Sequence, residues 1–427
     1  MTKKNIDLVS TEKRKEKVIL VGTIRQGDLR ETVEETIEEL ANLARTAGAE
    51  VHSSVFQGLK RPDPAYLIGK GKAGEISRMI DGTGVDTIIF DDELSPAQTR
   101  NLEKITDRKI VDRTGLILEI FAQNARTKEA KTQVELARLQ YFLPRLTRQW
   151  THLERQIGGI GVRGGMGETQ LEVDRRLIRT RIKKLKEDLE LIEKQRSDRR
   201  ARRKNIFKTT LVGYTNAGKS TLFNAVADAG VQVEDRLFAT LDSTVRRIEL
   251  NGNNTILMAD TVGFIRKLPH SLVASFRSTL GVVQEADLLI HVVDISNPDY
   301  EEQIEAVNRV LDELNVKKTP IIHAFNKVDL VEDQNMLDAA GRFYPDGVFI
   351  SAARTIGMAK LFEKISEIVS ENYIIKEFNI LLTESKVISQ IYEAGEVIEQ
   401  DYDGKYTKMK VRLSKEEAYK IENLISE

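Results

Sequence analysis

The sequence contains no cysteine, which excludes a disulfide framework, a cysteine-ligated zinc cluster and thiol catalysis, and fits a reducing, cytoplasmic setting. Its longest apolar stretches, such as Leu288 to Val293, fall far short of the roughly 20 residues that a membrane-spanning helix needs. Met1 to Lys17 is polar and lysine-rich without an apolar core, so no secretory signal peptide is expected. The five histidines are scattered and none falls in a metal-binding spacing such as HExxH, which points them to packing or surface roles. The lone tryptophan, Trp150, is expected to anchor packing.

What is present is a chain of 427 residues, 41% hydrophobic and 31% charged. At roughly 150 residues per domain this predicts two to four soluble, globular domains, each able to bury a core. The net charge of −1 hides a local asymmetry: residues 179 to 208 carry thirteen Lys or Arg against five acids, a surplus of +8. Such a run is either a solvated helix face or a surface for a polyanion such as RNA, where basic side chains displace counterions from phosphates.

From Lys17 to about Arg126 strand-like runs alternate with helical patterns: KVILVG (17 to 22), a helix across Leu29 to Ala47, AEVHSSVF (49 to 56), and DTIIF (86 to 90) before a helix starting near Ser95-Pro96. Serine can cap such a helix and proline suits its first turn. The alternation predicts an α/β domain with a largely parallel sheet over 1–127. Residues 128–204 predict a long helical hairpin. Ile178, Ile182, Leu185, Leu189 and Ile192 form one apolar seam, and Lys128 to Leu143, with Val134, Ala137 and Tyr141 on one face and Pro144 at its end, is the expected antiparallel mate. Between them IGGIGVRGGMGE (157 to 168) has six glycines in twelve residues and predicts a mobile tip loop, because glycine loses the most backbone freedom on ordering. Thr169 and Glu172 offer a capping box for the second helix. A second α/β pattern covers 205–373, and a small α+β domain over 374–427 follows: EFNILL (377 to 382), a helix near Glu384 to Ala394, two strands joined at Asp403-Gly404, and a helix over Ser414 to Ile425.

The chemistry concentrates in the second pattern. Gly213-Tyr214-Thr215-Asn216-Ala217-Gly218-Lys219-Ser220, followed by Thr221, matches the phosphate loop GxxxxGK[ST] between the strand TTLVG and the helix TLFNAVA. Backbone N–H groups and the helix N-terminus then face the phosphates, Lys219 reaches the β- and γ-phosphates, and Ser220 binds Mg²⁺. Asp260-Thr261-Val262-Gly263 follows the strand TILMA, so that Asp260 can hold a water on Mg²⁺ while the Gly263 N–H faces the γ-phosphate. Lys219 and Gly263 are thus the expected catalytic groups. Asn326-Lys327-Val328-Asp329 follows the strand PIIHAF; a carboxylate at Asp329 accepts from the N1–H and amino group of guanine, which adenine does not present. Ser351-Ala352-Ala353 can offer a backbone N–H to the guanine O6. A threonine that senses the γ-phosphate through Mg²⁺ is expected in Phe238-Ala239-Thr240-Leu241-Asp242, with Thr244 a second candidate. Phe264 stands where many GTP hydrolases carry a glutamine that orients the attacking water. Phenylalanine cannot do so, which predicts slow turnover by the isolated chain, with the water positioned by backbone, by another side chain or by a binding partner.

The order FATLD, DTVGF, NKVD, SA, preceded by GGMGETQLE and by YLIGKGKAGEI (66 to 76), resembles the HflX family of GTPases over nearly the whole chain. The resemblance implies a cytoplasmic GTPase, with Mg²⁺ and GTP or GDP, that binds the large ribosomal subunit, rRNA and proteins together, and in some members splits stalled or idle ribosomes under stress. It also places the Mg²⁺-binding threonine at Thr240. This chain reads Leu241-Asp242-Ser243-Thr244 where the family commonly has LDPT, a loss of proline that touches no expected ligand. The glycine-rich loop, flanked by Arg148, Arg155 and Arg163, could probe RNA; deleting 158 to 165 is expected to abolish ribosomal activation and spare GTP affinity. A DNA partner is not expected, and a monomer is. The rival reading is a GTP-dependent regulatory module for a protein or peripheral membrane partner. Gly69-Lys70-Gly71-Lys72-Ala73-Gly74 lacks phosphate-loop spacing and reads as a tight turn before a helix.

Overall fold

Short β-rich runs that are apolar on both faces fold as buried parallel strands once helices cover them, and this chain builds two such sheets. The computed structural model describes residues 15–146, 170–201, 206–227, 237–238, 240–241, 244–250, 254–267, 277–316 and 318–426. The loop at 157–168, the arginines around it, Trp150 and Thr169 lie outside the described residues. The chain divides into two compact units, 1–125 with 133–185, and 126–132 with 186–427.

In the first unit, β1 (Lys17–Arg25), β2 (Glu50–Leu59), β3 (Thr87–Phe90) and β4 (Lys109–Asp112) form an all-parallel sheet in the order β2-β1-β3-β4. The crossovers run through α1 (Arg30–Thr46), α2 (Lys70–Ile80) and α3 (Pro96–Thr106), and α4 (Arg113–Asn124) follows β4. Ile19, Val21, Ile76, Ile88, Phe90 and Leu102 share one core. Ser95 and Gln98 cap α3 reciprocally, each side chain accepting from the other's backbone N–H, with Pro96 in the first turn. The Gly-Lys run at 69–74 is helix from Lys70 onward, so both lysines ride on α2 and only Gly69, at φ 80°, makes the turn. Arg113 is buried and ion-paired with Asp91 at 2.7 Å and with Glu39. Helix α5 (Lys128–Phe142) runs into a 3-10 turn at Leu143–Arg145. Helix α6 (Gln170–Ala201) lies antiparallel to it: Arg181 forks onto Glu135 at 2.7 and 2.8 Å, and Arg175 reaches the Leu146 carbonyl.

The second unit carries β5 (Phe207–Gly213), α7 (Lys219–Ala227), β6 (Thr244–Leu250), β7 (Asn254–Asp260), α8 (Arg277–Gln284), β8 (Leu288–Asp294), α9 (Tyr300–Glu313) and β9 (Ile321–Asn326). Helix α10 (Gln334–Phe343), β10 (Val348–Phe349) and α11 (Met358–Asn372) complete this part. The sheet order is β10-β9-β8-β5-β7-β6, and only the β6/β7 pair is antiparallel. Strand order reverses at β5, and open α/β sheets bind ligands in the crevice beyond the carboxyl ends of the strands at such a point. A three-stranded antiparallel sheet follows, β11 (Tyr373–Leu381), β12 (Gly395–Asp403) and β13 (Tyr406–Ser414) in the order β11-β13-β12. Its own core, including Phe378, Met409 and Val411, packs under α12 (Ser385–Ala394) and α13 (Lys415–Ser426). The hairpin residues between β12 and β13 are Gly404 and Lys405, with Gly404 at φ 62°, a conformation glycine adopts without strain.

Candidate functional site

Strand β5 ends in Gly213, where a Cβ would stand 2.2 Å from the Val292 carbonyl oxygen, so no larger residue fits between β5 and β8. The chain then turns through Tyr214, Thr215, Asn216 and Ala217 into α7. Gly218 lies at φ 93°, and a Cβ there would meet Asn326 Nδ2 at 2.2 Å. That space lets Asn326 donate to the Ala217 carbonyl at 2.9 Å and accept from the Ala352 N–H, also at 2.9 Å. One side chain therefore ties the phosphate-loop sequence to the NKVD and Ser351-Ala352-Ala353 segments.

Lys219 opens α7 with its ammonium buried, donating to the Tyr214 carbonyl at 2.7 Å and the Gly213 carbonyl at 3.1 Å. Burial lowers its pKa to about 8, with the charge of Asp260 acting in the opposite direction. Ser220 Oγ donates to Asp260 Oδ2 at 2.6 Å and lies 2.8 Å from Thr240 Oγ1. Two hydroxyls and a carboxylate thus converge. Asp260 is fully buried, burial raises its pKa against the pull of Ser220 and Lys219, and its Oδ1 has no hydrogen-bond partner among the described residues. Thr221 continues α7. Of the two candidate threonines, Thr240 reaches Ser220, whereas Thr244 opens β6. Phe238 and Leu241 are buried beside Thr240 in sequence; Ala239 and Asp242 lie outside the described residues.

After Asp260, the Thr261 hydroxyl donates to the Leu211 carbonyl at 2.7 Å, which ties its side chain to β5. Val262 is buried, and Gly263 lies so close to Thr215 that its missing Cβ would overlap the threonine. Phe264 pairs with the phosphate loop through its backbone: its N–H donates to the Gly213 carbonyl at 3.0 Å, and its carbonyl accepts from the Thr215 N–H at 2.7 Å. Its side chain is 1% exposed and has no polar atom. Tyr214 Oη accepts from the Arg266 N–H at 2.7 Å, a second tie between the same segments.

At the far end Lys327, at φ 65°, pairs with Asp294 at 2.7 Å. Asp329 pairs with Arg354 at 3.1 Å, and the Ser351 hydroxyl, ahead of the Arg354 and Lys327 charges, holds its pKa below the ordinary carboxylate range. Val328 donates its N–H to the Ile350 carbonyl. The Ala352 N–H serves Asn326, and Ala353 is the exposed residue of its segment. Sequence reasoning missed Asp294 and Arg354. Asp294 had a signal, an acid ending an apolar strand as Asp260 does; Arg354 had none.

The chain matches three family models in sequence: a GTP-binding GTPase N-terminal region at 34–122, a GTP-binding GTPase middle region at 124–203, and a 50S ribosome-binding GTPase at 208–327. It is 43% identical to a GTPase HflX of Magnetococcus marinus, covering 95% of this chain and 94% of that protein. To the GTPase HflX of Escherichia coli it is 45% identical, covering 86% and 87%. A solved structure of a GTP-binding protein from Sulfolobus solfataricus in complex with GDP is 26% identical, with a TM-score of 0.43 over 83% of this chain and 99% of that one.

Proposed function

The chain belongs to the HflX family of GTPases, and from that premise we propose that its GTP cycle is coupled to the large ribosomal subunit, where it splits or rescues stalled or idle ribosomes under stress. It is a GTP hydrolase, so what is proposed is the partner and the control. The observation that carries the reading is Phe264: a buried, apolar side chain leaves the usual water-orienting position empty of polar atoms, so the water is positioned by some other group and turnover by the chain alone is slow enough for a partner to control. The match of 208–327 to a 50S ribosome-binding GTPase supports the large subunit as the source of that help. The long basic helix α6, with Arg176, Arg179, Lys183, Lys184 and Lys186 exposed, suits contact with rRNA phosphates. In this reading 205–373 is the switch, and 1–127, 128–204 and 374–427 serve recognition.

The proposed nucleotide ligands are the phosphate loop from Gly213 to Thr221, Asp260 to Gly263, and the guanine set Asn326, Lys327, Asp329 and Ser351 to Ala353. Ser220, Thr240 and Asp260 supply hard oxygen donors and one orphan carboxylate oxygen, which fits Mg²⁺. Bound there, Mg²⁺ would offset the phosphate charge. Lys219 would exchange its two carbonyl acceptors for phosphate oxygens, and Thr240 would report the γ-phosphate to the rest of its loop.

The test is GTP turnover with and without purified large subunits, together with co-sedimentation in a GTP analogue and in GDP. Stimulation of at least about tenfold and binding only in the analogue are expected. Equal rates with no co-sedimentation would overturn the ribosomal reading. Recovery on vesicles or on a single protein partner would install the regulatory-module reading in its place.

A further inference from the structure

Thr215 is the one residue of the phosphate loop whose buried side-chain hydroxyl has no hydrogen-bond partner among the described residues, at 6% residue exposure. Three other hydroxyls of the site have protein partners: Ser220 with Asp260 and Thr240, and Thr261 with the Leu211 carbonyl. Thr209 also carries an orphan hydroxyl, but on β5 within the sheet. An orphan polar group in a native fold calls for a cause, and a role in chemistry is one of the few available.

The surroundings of Thr215 supply that cause. The point where a Cβ on Gly263 would sit is 2.7 Å from Thr215 Cγ2, 2.8 Å from its Cα and 3.1 Å from Lys219 Nζ. The threonine methyl, the lysine ammonium and Gly263 therefore border one small volume, and the hydroxyl branches from the same Cβ as that methyl. The lysine of such a loop reaches the β- and γ-phosphates, and the glycine of DxxG faces the γ-phosphate; a group shared by both neighbours borders the γ-phosphoryl as well. The backbone of Thr215 is held by its N–H on the Phe264 carbonyl at 2.7 Å, so the side chain is set from a fixed point. A hydroxyl can donate one hydrogen bond and accept others.

We propose that the Thr215 hydroxyl takes the place of the side chain Phe264 lacks, donating to a γ-phosphoryl oxygen and accepting from the water that attacks it. Water oxygen forms the new bond to the γ-phosphorus, and the bond to the β–γ bridging oxygen breaks with its electron pair leaving on GDP. The water proton ends on the released phosphate. Thr215 keeps its own proton throughout and acts by position. The proposal rests on hydrolysis at this site and not on the ribosomal reading.

The experiment uses the full chain with Mg²⁺. Single-turnover GTP hydrolysis is followed for wild type, Thr215→Val and Thr215→Ser without ribosomes, beside titrations with fluorescent GDP and a non-hydrolysable GTP analogue. Thr215→Val, which keeps the shape and loses the hydroxyl, is expected to slow hydrolysis about 10- to 100-fold with both affinities within about threefold of wild type. Thr215→Ser is expected to stay within about threefold of the wild-type rate. A valine variant within twofold of wild type overturns the proposal. So does a serine variant as slow as valine, or a valine variant that loses GDP affinity in step with rate, because either result assigns the residue to packing. Stimulation by large subunits is scored separately in wild type, so its absence would sink the ribosomal reading and leave the role of Thr215 untouched.

Discussion

A methyl group on Gly263 would stand 2.7 Å from Thr215 Cγ2 and 2.8 Å from its Cα, distances at which backbone must move. The Gly263→Ala variant is therefore expected to push the DTVGF segment off the phosphate loop. Hydrolysis should fall about 100-fold or more while GDP still binds, as read by phosphate release beside a GDP titration; a rate within threefold of wild type would contradict the contact. Asn326 poses the opposite case, a side chain whose removal strands others. It is 3% exposed and satisfies the Ala217 carbonyl and the Ala352 N–H, so Asn326→Ala leaves a buried acceptor and a buried donor unpaired. A loss of about 3 kcal/mol is expected, seen as a lower denaturant midpoint at unchanged slope, and a loss below about 1 kcal/mol would show that water or local shifts replace the bonds. Gly263 and Asn326 were legible in the sequence as motif letters. What they touch was not, because Gly263 and Thr215 are far apart in the chain and meet only through the β5 to β7 pairing.

At the scale of elements, strands β8 and β9 pair His291 directly with His323, ring centroids 5.3 Å apart, in the middle of the sheet. Burial, then the neighbouring His323 and Lys219, lower the pKa of His291 from 6.5 to about 3. Above pH 6.5 the ring is neutral folded or unfolded and costs nothing. As pH falls below 6.5 the unfolded chain takes up a proton that the folded chain refuses, so stability drops until about pH 3. By pH 5 the loss attributable to this one residue is about 2 kcal/mol. Thermal melts at pH 7 and pH 5 check this: His291→Leu should lose less stability between the two than wild type does, and equal losses would move the acid sensitivity elsewhere. The scattering of the histidines pointed to packing or surface roles without saying which, and pairing across two strands is invisible to spacing alone. Two other elements escaped the pattern for a plain reason. KIVD is only four residues, and α4, with Leu116, Ile117, Leu118, Ile120 and Phe121 all buried, is apolar on too many sides to show a helical stripe.

For the whole molecule, separation into two units with their own sheets and cores predicts unfolding in more than one step. All the candidate nucleotide ligands belong to the second unit, so GDP at 100 times its Kd should stabilise that step alone, by about 2.7 kcal/mol. A single calorimetric transition that shifts as one would refute independent units. Periodicity and short-range spacing are local properties of the chain, and they were enough to establish the fold class, the place of each nucleotide motif at a strand end, and guanine over adenine; family membership rests on the resemblance of whole motifs such as FATLD and GGMGETQLE and on the relatives that share them. The contact of Thr240 with Ser220, the burial of Phe264 against the phosphate loop, the Asn326 clasp and the orphan hydroxyl of Thr215 emerged only in the folded chain. Each depends on which distant backbone groups become neighbours when β5 lies between β8 and β7, and no local pattern carries that information.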